Sequence, residues 1–113
     1  MNQTVRSLCG KLIVSCQAFP GSPFYCAEFI AAFAKCAELG GAGGVRACWK
    51  ENIRAVKAAV RLPVIGINKV TGGESMRPDQ VYITPSFESA AEVIEAGCDI
   101  LGMDMTPRGR SWS

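Results

Sequence analysis

The sequence predicts a parallel α/β fold in the order βαβαβαβ, and three observations carry that expectation. Short apolar runs, residues 12–16 and 63–68, are too brief for buried helices. Between and after them lie longer segments whose apolar residues recur at helical spacing. Glycine and proline clusters such as "FPGSP", "GGAGG" and "TGGESMRPDQ" mark the junctions. Alternation of this kind requires a parallel sheet, because each helix must carry the chain back to the edge where the next strand starts.

Taken in order, "LIVSC" (12–16) is a partly β-branched apolar strand that runs into the breaker cluster "FPGSP". Ser22 and Pro23 offer an N-cap and a first helical position, Phe29, Ile30, Phe33 and Ala37 share a helix face, and Gly40-Gly41 supplies the stop. The order then repeats. Residues 43–47 form a strand, residues 51–60 a helix with Ile53, Val56 and Val60 on one side, and residues 63–68 a further strand. After the loop at 71–80, residues 81–84 form a brief extended piece. Ser86 caps a helix with Glu88 in its first turn, Gly97 ends it, and "CDILGMD" supplies the fourth strand.

Composition narrows the function classes. A chain of 113 residues, 49% hydrophobic, is sized for one domain, here residues 1–113. Its formal charge of +2 is scattered rather than blocked, which argues against nucleic acid as a partner. No apolar stretch approaches the roughly 20 residues of a membrane helix, and residues 1–11 lack the apolar core of a signal peptide, so a cytoplasmic location is expected. The six cysteines have no metal-ligand spacing and several sit in apolar periodic segments, where thiols pack as small hydrophobes. There is no histidine, which excludes a Ser-His-Asp or Cys-His centre and a histidine-bound metal.

Two architectures fit the element order. An open doubly wound sheet would carry a G-x-G-x-x-G-like loop after the first strand, where this chain has "SCQAFPGSP". A (β/α)8 TIM barrel typically needs about 250 residues, so the four units here amount to about half of one. Each strand ends on a polar residue: Gln17, Arg46, Lys69 and Asp104. Alternation places Gln17 with Ser15, Arg46 with Gly44, Lys69 with Ile65 and Ile67, and Asp104 with Ile100 and Gly102. Parallel α/β proteins assemble their sites at that rim, and a lysine partly withdrawn from water there is a usable general base. The plainer explanation for each residue is a chain reaching solvent; four at equivalent strand ends favour a site. Trp49 can wall a pocket or pack at a helix start, Cys16 lacks a base to activate it, "GGAGG" follows a helix as a stop, and "PRGRSWS" is a frayed tail.

The blocks "LIVSCQAFPGSPFY", "GGAGGVRA", "LPVIGINK", "VYITPS" and "AGCDILGMDMTPRGR" together resemble the amino-terminal half of the N-acylglucosamine-6-phosphate 2-epimerase family, also called N-acetylmannosamine-6-phosphate 2-epimerase. The resemblance implies a phosphate-binding (β/α)8 barrel that interconverts N-acetylmannosamine 6-phosphate and N-acetylglucosamine 6-phosphate in sialic acid and amino-sugar breakdown. It implies Lys69 as the base that removes the C2 proton. Gln17 and Arg46 would hold the substrate's polar groups, with Asp104 in support. The substrate class is a phosphorylated N-acyl amino sugar, and neither metal nor nicotinamide is called for. The family's second acid/base, a glutamate, and its phosphate-binding turns belong to the other half of the barrel. Val70 stands where a basic residue often follows the lysine. A half-barrel exposes two sheet edges and an apolar inner face, so a homodimer or a complementary half-barrel chain is the expected partner. The alternative is a non-catalytic half-barrel fragment whose property is association.

Overall fold

The computed structural model describes residues 2–70 and 81–105; the predicted loop at 71–80 and the C-terminal tail from 106 lie outside the described residues. Its elements are α1 (Gln3–Arg6), β1 (Ile13–Cys16), α2 (Ala27–Leu39), β2 (Gly44–Cys48), α3 (Lys50–Ala59), β3 (Val64–Ile67), α4 (Phe87–Glu95) and β4 (Ile100–Leu101). The strands form one parallel sheet in the sequential order β1-β2-β3-β4. Right-handed crossovers that always step in the same direction leave their helices on one face of the sheet. A doubly wound sheet would need a reversal of strand order, and none occurs among the described strands.

Register fixes the two faces. Val14, Val45 and Val64 lie side by side, as do Cys16, Ala47, Gly66 and Leu101. These rows pack against α2, α3 and α4 in a core with Ile30, Ala34, Ile53, Val56 and Val93. Gly66 is required there: a Cβ would come within 2.5 Å of Val93 Cγ1 and 2.7 Å of Cys98 Cβ. The intervening row, Ser15, Arg46, Ile65 and Ile100, points to the opposite face, which the helices leave uncovered.

The helix ends follow from local chemistry. Gly41, at φ 94°, closes α2 with Ala42 N–H donating to Ala37 O (3.0 Å) and Gly41 N–H to Glu38 O (3.1 Å), as the predicted glycine stop requires. Ser86 caps α4 by accepting from Ser89 N–H at 3.1 Å, and Gly97 follows its last turn at φ 101°. The expected Ser22 cap is corrected. Ser22 Oγ instead accepts from Phe24 N–H (3.1 Å) in a separate turn, and α2 begins at Ala27 behind Cys26, which makes no side-chain cap. Phe24 is drawn onto α2 by ring contacts with Phe29 and Phe33, which hold the turn apart from the helix. The short α1, capped by Asn2, has no counterpart in the periodicity, and β4 keeps only two paired residues of the longer expected strand. Among the described residues no helix is long and apolar enough to cross a membrane.

Candidate functional site

The candidate site lies at the ends of β1 and β3 and where residues 82–84 return to the sheet; Arg46, expected to end its strand, instead sits in the middle of β2, which runs on to Cys48. Lys69 lies two residues beyond β3 and pairs with Ile83 in an isolated antiparallel bridge. Val70 N–H donates to Tyr82 O (2.8 Å), Thr84 N–H to Asn68 O (2.7 Å) and Asp104 N–H to Ile83 O (3.2 Å). The extended piece expected at 81–84 is thus present as a short bar between the ends of β3 and β4. Only the single residue Ile83 separates the backbones of Lys69 and Asp104 across that bar.

Thr84 anchors the bar. It is fully buried, and its hydroxyl donates to Gly102 O (2.6 Å) while accepting from Asn68 N–H (3.2 Å). Its φ of 47° is costly for a β-branched residue and sits beside the predicted base. The Asn68 side chain adds a tie to α4, donating to Glu92 Oε2 (3.0 Å) and Ser89 O (3.4 Å).

Gln17 and Arg46 reach the same sheet face. Gln17 Nε2 donates to Ser15 Oγ at 2.6 Å, and Ser15 is level with Arg46 in the register. Two buried polar side-chain atoms among the described residues have no hydrogen-bond partner: Gln17 Oε1 and Arg46 Nε. Buried polar atoms are almost always paired because leaving one unpaired costs about 1–3 kcal/mol. The pair fall on the two residues predicted to hold substrate.

Cys48 completes this corner. Its Sγ accepts from Lys69 N–H at 3.4 Å, and it lies within electrostatic reach of both Lys69 and Arg46. Burial raises its pKa above the usual thiol value, outweighing the opposing pull of the Lys69 N–H and the two cations. It therefore stays a neutral thiol rather than a nucleophile, as does Cys16, which burial raises in the same sense. Among the described residues no group of His, Cys, Asp or Glu is placed to hold a metal ion.

An aromatic wall closes one side. Phe19 places its ring 5.0 Å from Lys69 Nζ, within cation–π range. Trp49 meets Phe19 and Tyr25 edge-on, with ring centroids 6.1 and 5.8 Å apart, and its indole N–H donates to Lys69 O at 3.0 Å. Trp49 thus packs at the start of α3 and also touches the site. Phe19 and Thr84 were not singled out from sequence. Phe19 could have been, since it follows Gln17 by two residues at a strand end.

Comparison with known proteins points to one family. The family model described as "Putative N-acetylmannosamine-6-phosphate epimerase" matches residues 30–113. A Thermosynechococcus vestitus protein named "Putative N-acetylmannosamine-6-phosphate 2-epimerase" is 48% identical over 101 residues, covering 89% of this chain and 42% of that protein. A Cutibacterium acnes protein of the same name is 41% identical over 110 residues, covering 97% of this chain and 45% of that one. The solved N-acetylmannosamine-6-phosphate 2-epimerase from Clostridium perfringens superposes with a TM-score of 0.83 at 30% identity, over 94% of this chain and 44% of that one. The chain spans less than half the length of these relatives, and its four sequential parallel units correspond to about half of a (β/α)8 barrel.

Proposed function

Because the chain belongs to the N-acetylmannosamine-6-phosphate epimerase family, we propose that it supplies the proton-abstracting half of an active site that interconverts N-acetylmannosamine 6-phosphate and N-acetylglucosamine 6-phosphate. The observation that carries this reading is that Gln17 Oε1, just beyond β1, and Arg46 Nε, within β2, are buried and unpaired, while Arg46 and Lys69 both lie within electrostatic reach of Cys48. Lys69 takes the proton from C2 on its side-chain nitrogen. In the open-chain form of the sugar, the electron pair of that C–H bond moves toward the C1 carbonyl oxygen and gives an enolate. Arg46 lowers the energy of the developing negative charge, and Gln17 orients the sugar's polar groups. Asp104, one residue across from Lys69, supports the lysine's surroundings. Inversion needs a proton returned to the opposite face. Four further β/α units, which the relatives' length accommodates, provide that second acid/base and the phosphate site.

The test is conversion. N-acetylmannosamine 6-phosphate is incubated with the chain mixed with the remaining four β/α units of a relative and followed by NMR, and Lys69→Met is the control. The proposal expects product in the wild type and none in the variant.

A second reading, a non-catalytic half-barrel that associates with another copy or with a complementary half, is favoured by one observation. Among the described strands, β1 and β4 each have a neighbour on one side only. Unpaired edges are templates for further strand pairing. Light scattering that shows association in protein inactive toward the sugar phosphate would support this reading over the first.

A further inference from the structure

The chain turns from β2 into α3 through one residue, Trp49, whose φ of 73° and ψ of 147° lie in a region that side-chain-bearing residues rarely adopt. Glycine would sit there without strain. What the tryptophan gains in exchange is contact with Lys69. Its indole N–H donates to Lys69 O (3.0 Å), its backbone N–H donates to Ile67 O (3.1 Å), and its ring braces Phe19, over which Lys69 Nζ lies at 5.0 Å. The preceding residue, Cys48, accepts from Lys69 N–H. Lys69 is thereby held at its amide, its carbonyl and its side-chain nitrogen, and all three holds run through residues 48 and 49.

We propose that Trp49 is a positioning residue that aims Lys69, with its indole N–H fixing the backbone of the lysine and its ring holding Phe19 against the lysine's terminal nitrogen. This rests on the assignment of Lys69 as the proton-abstracting group. A tryptophan that only filled space would not need its N–H directed at the carbonyl of that residue, nor a strained backbone to direct it.

The experiment uses the 113-residue chain with isotopically labelled lysines. Phe19's ring current should set the ε-methylene signal of Lys69 upfield of those from Lys11, Lys35, Lys50 and Lys57. Lys69→Arg identifies the signal, and Phe19→Leu should abolish the offset. Trp49→Phe keeps a ring but lacks the N–H, so the signal should move part of the way toward the other four. Trp49→Gly removes the ring and accepts the backbone angle, so the signal should move the whole way while circular dichroism shows a folded chain. C2 proton exchange in both variants should fall about tenfold or more in kcat with KM little changed, since misplacement of a reacting group acts on the chemical step. A Lys69 signal that stays in place in Trp49→Phe and Trp49→Gly overturns the proposal. Should the wild type, mixed with the remaining four β/α units of a relative, exchange no C2 proton at all, the epimerase reading fails, and the lysine signal still decides the positioning role.

Discussion

Replacing Thr84 by valine keeps the shape and the β-branch while removing the hydroxyl, so the strain at φ 47° is common to both residues and cancels from the comparison. Two hydrogen bonds disappear, the donation to Gly102 O at 2.6 Å and the acceptance from Asn68 N–H at 3.2 Å. At about 1 kcal/mol for each bond, with a further contribution for polar backbone left shut away from water, Thr84→Val should lose about 2–3 kcal/mol. At about 4 °C per kcal/mol for a domain of this size, that is a fall of roughly 8–12 °C in Tm. Thr84→Ser retains the hydroxyl and loses one methyl, worth about 1 kcal/mol. Urea unfolding followed by circular dichroism measures both. The hydroxyl is holding the ends of β3 and β4 together only if valine is clearly the worse substitution. A valine variant as stable as the serine one would refute that reasoning.

Gly66→Ala should destabilise the fold by about 1–3 kcal/mol, because its Cβ would press to 2.5 Å from Val93 Cγ1, 2.7 Å from Cys98 Cβ and 3.1 Å from Ile53 Cδ1; adding Val93→Ala should recover part of the loss in the same urea titration. A thiol reagent at neutral pH should modify the exposed Cys9, Cys26 and Cys36 quickly and spare the buried Cys16 and Cys48 until the chain unfolds, which mass mapping would resolve. Burial raises the pKa of Cys16, Cys48 and Cys98 above the ordinary 9.0. Above that value the unfolded chain gives up these protons while the folded chain keeps them, so their contribution is fully present below pH 9.0 and is lost as pH rises into the alkaline range. Denaturation midpoints measured from pH 7 upward should decline only at the alkaline end.

The placement of Gln17, Lys69 and Asp104 beyond strand ends was legible because it rests on two regularities, strand alternation and the placement of polar residues where apolar runs stop. Arg46 was read as a strand end as well, but β2 continues past it to Cys48 because Ala47 and Cys48 pair on with Gly66 and Ile67. The glycine stops and the Ser86 cap were legible for a similar reason, since one residue's local chemistry decides each. Ser22 misled because its hydroxyl can serve a turn as well as a helix, and the ring contacts of Phe24 with Phe29 and Phe33, a tertiary effect, chose the turn. Trp49 and Thr84 were opaque as backbone features. Their positive φ runs against the preference of both residue types, and each is held by bonds to residues 16 to 20 positions away. The α1 helix spans four residues, too few for any periodicity to register.

The most direct test of the account is loss of the C2 proton from N-acetylmannosamine 6-phosphate in heavy water. It is read by NMR with the 113-residue chain, alone and mixed with the remaining four β/α units of a relative. The account predicts that the C2 signal fades with wild-type chain and persists with Lys69→Met. A C2 signal that persists in both when the chain is folded and assembled, or one that fades equally in both, would contradict the assignment of Lys69 as the base.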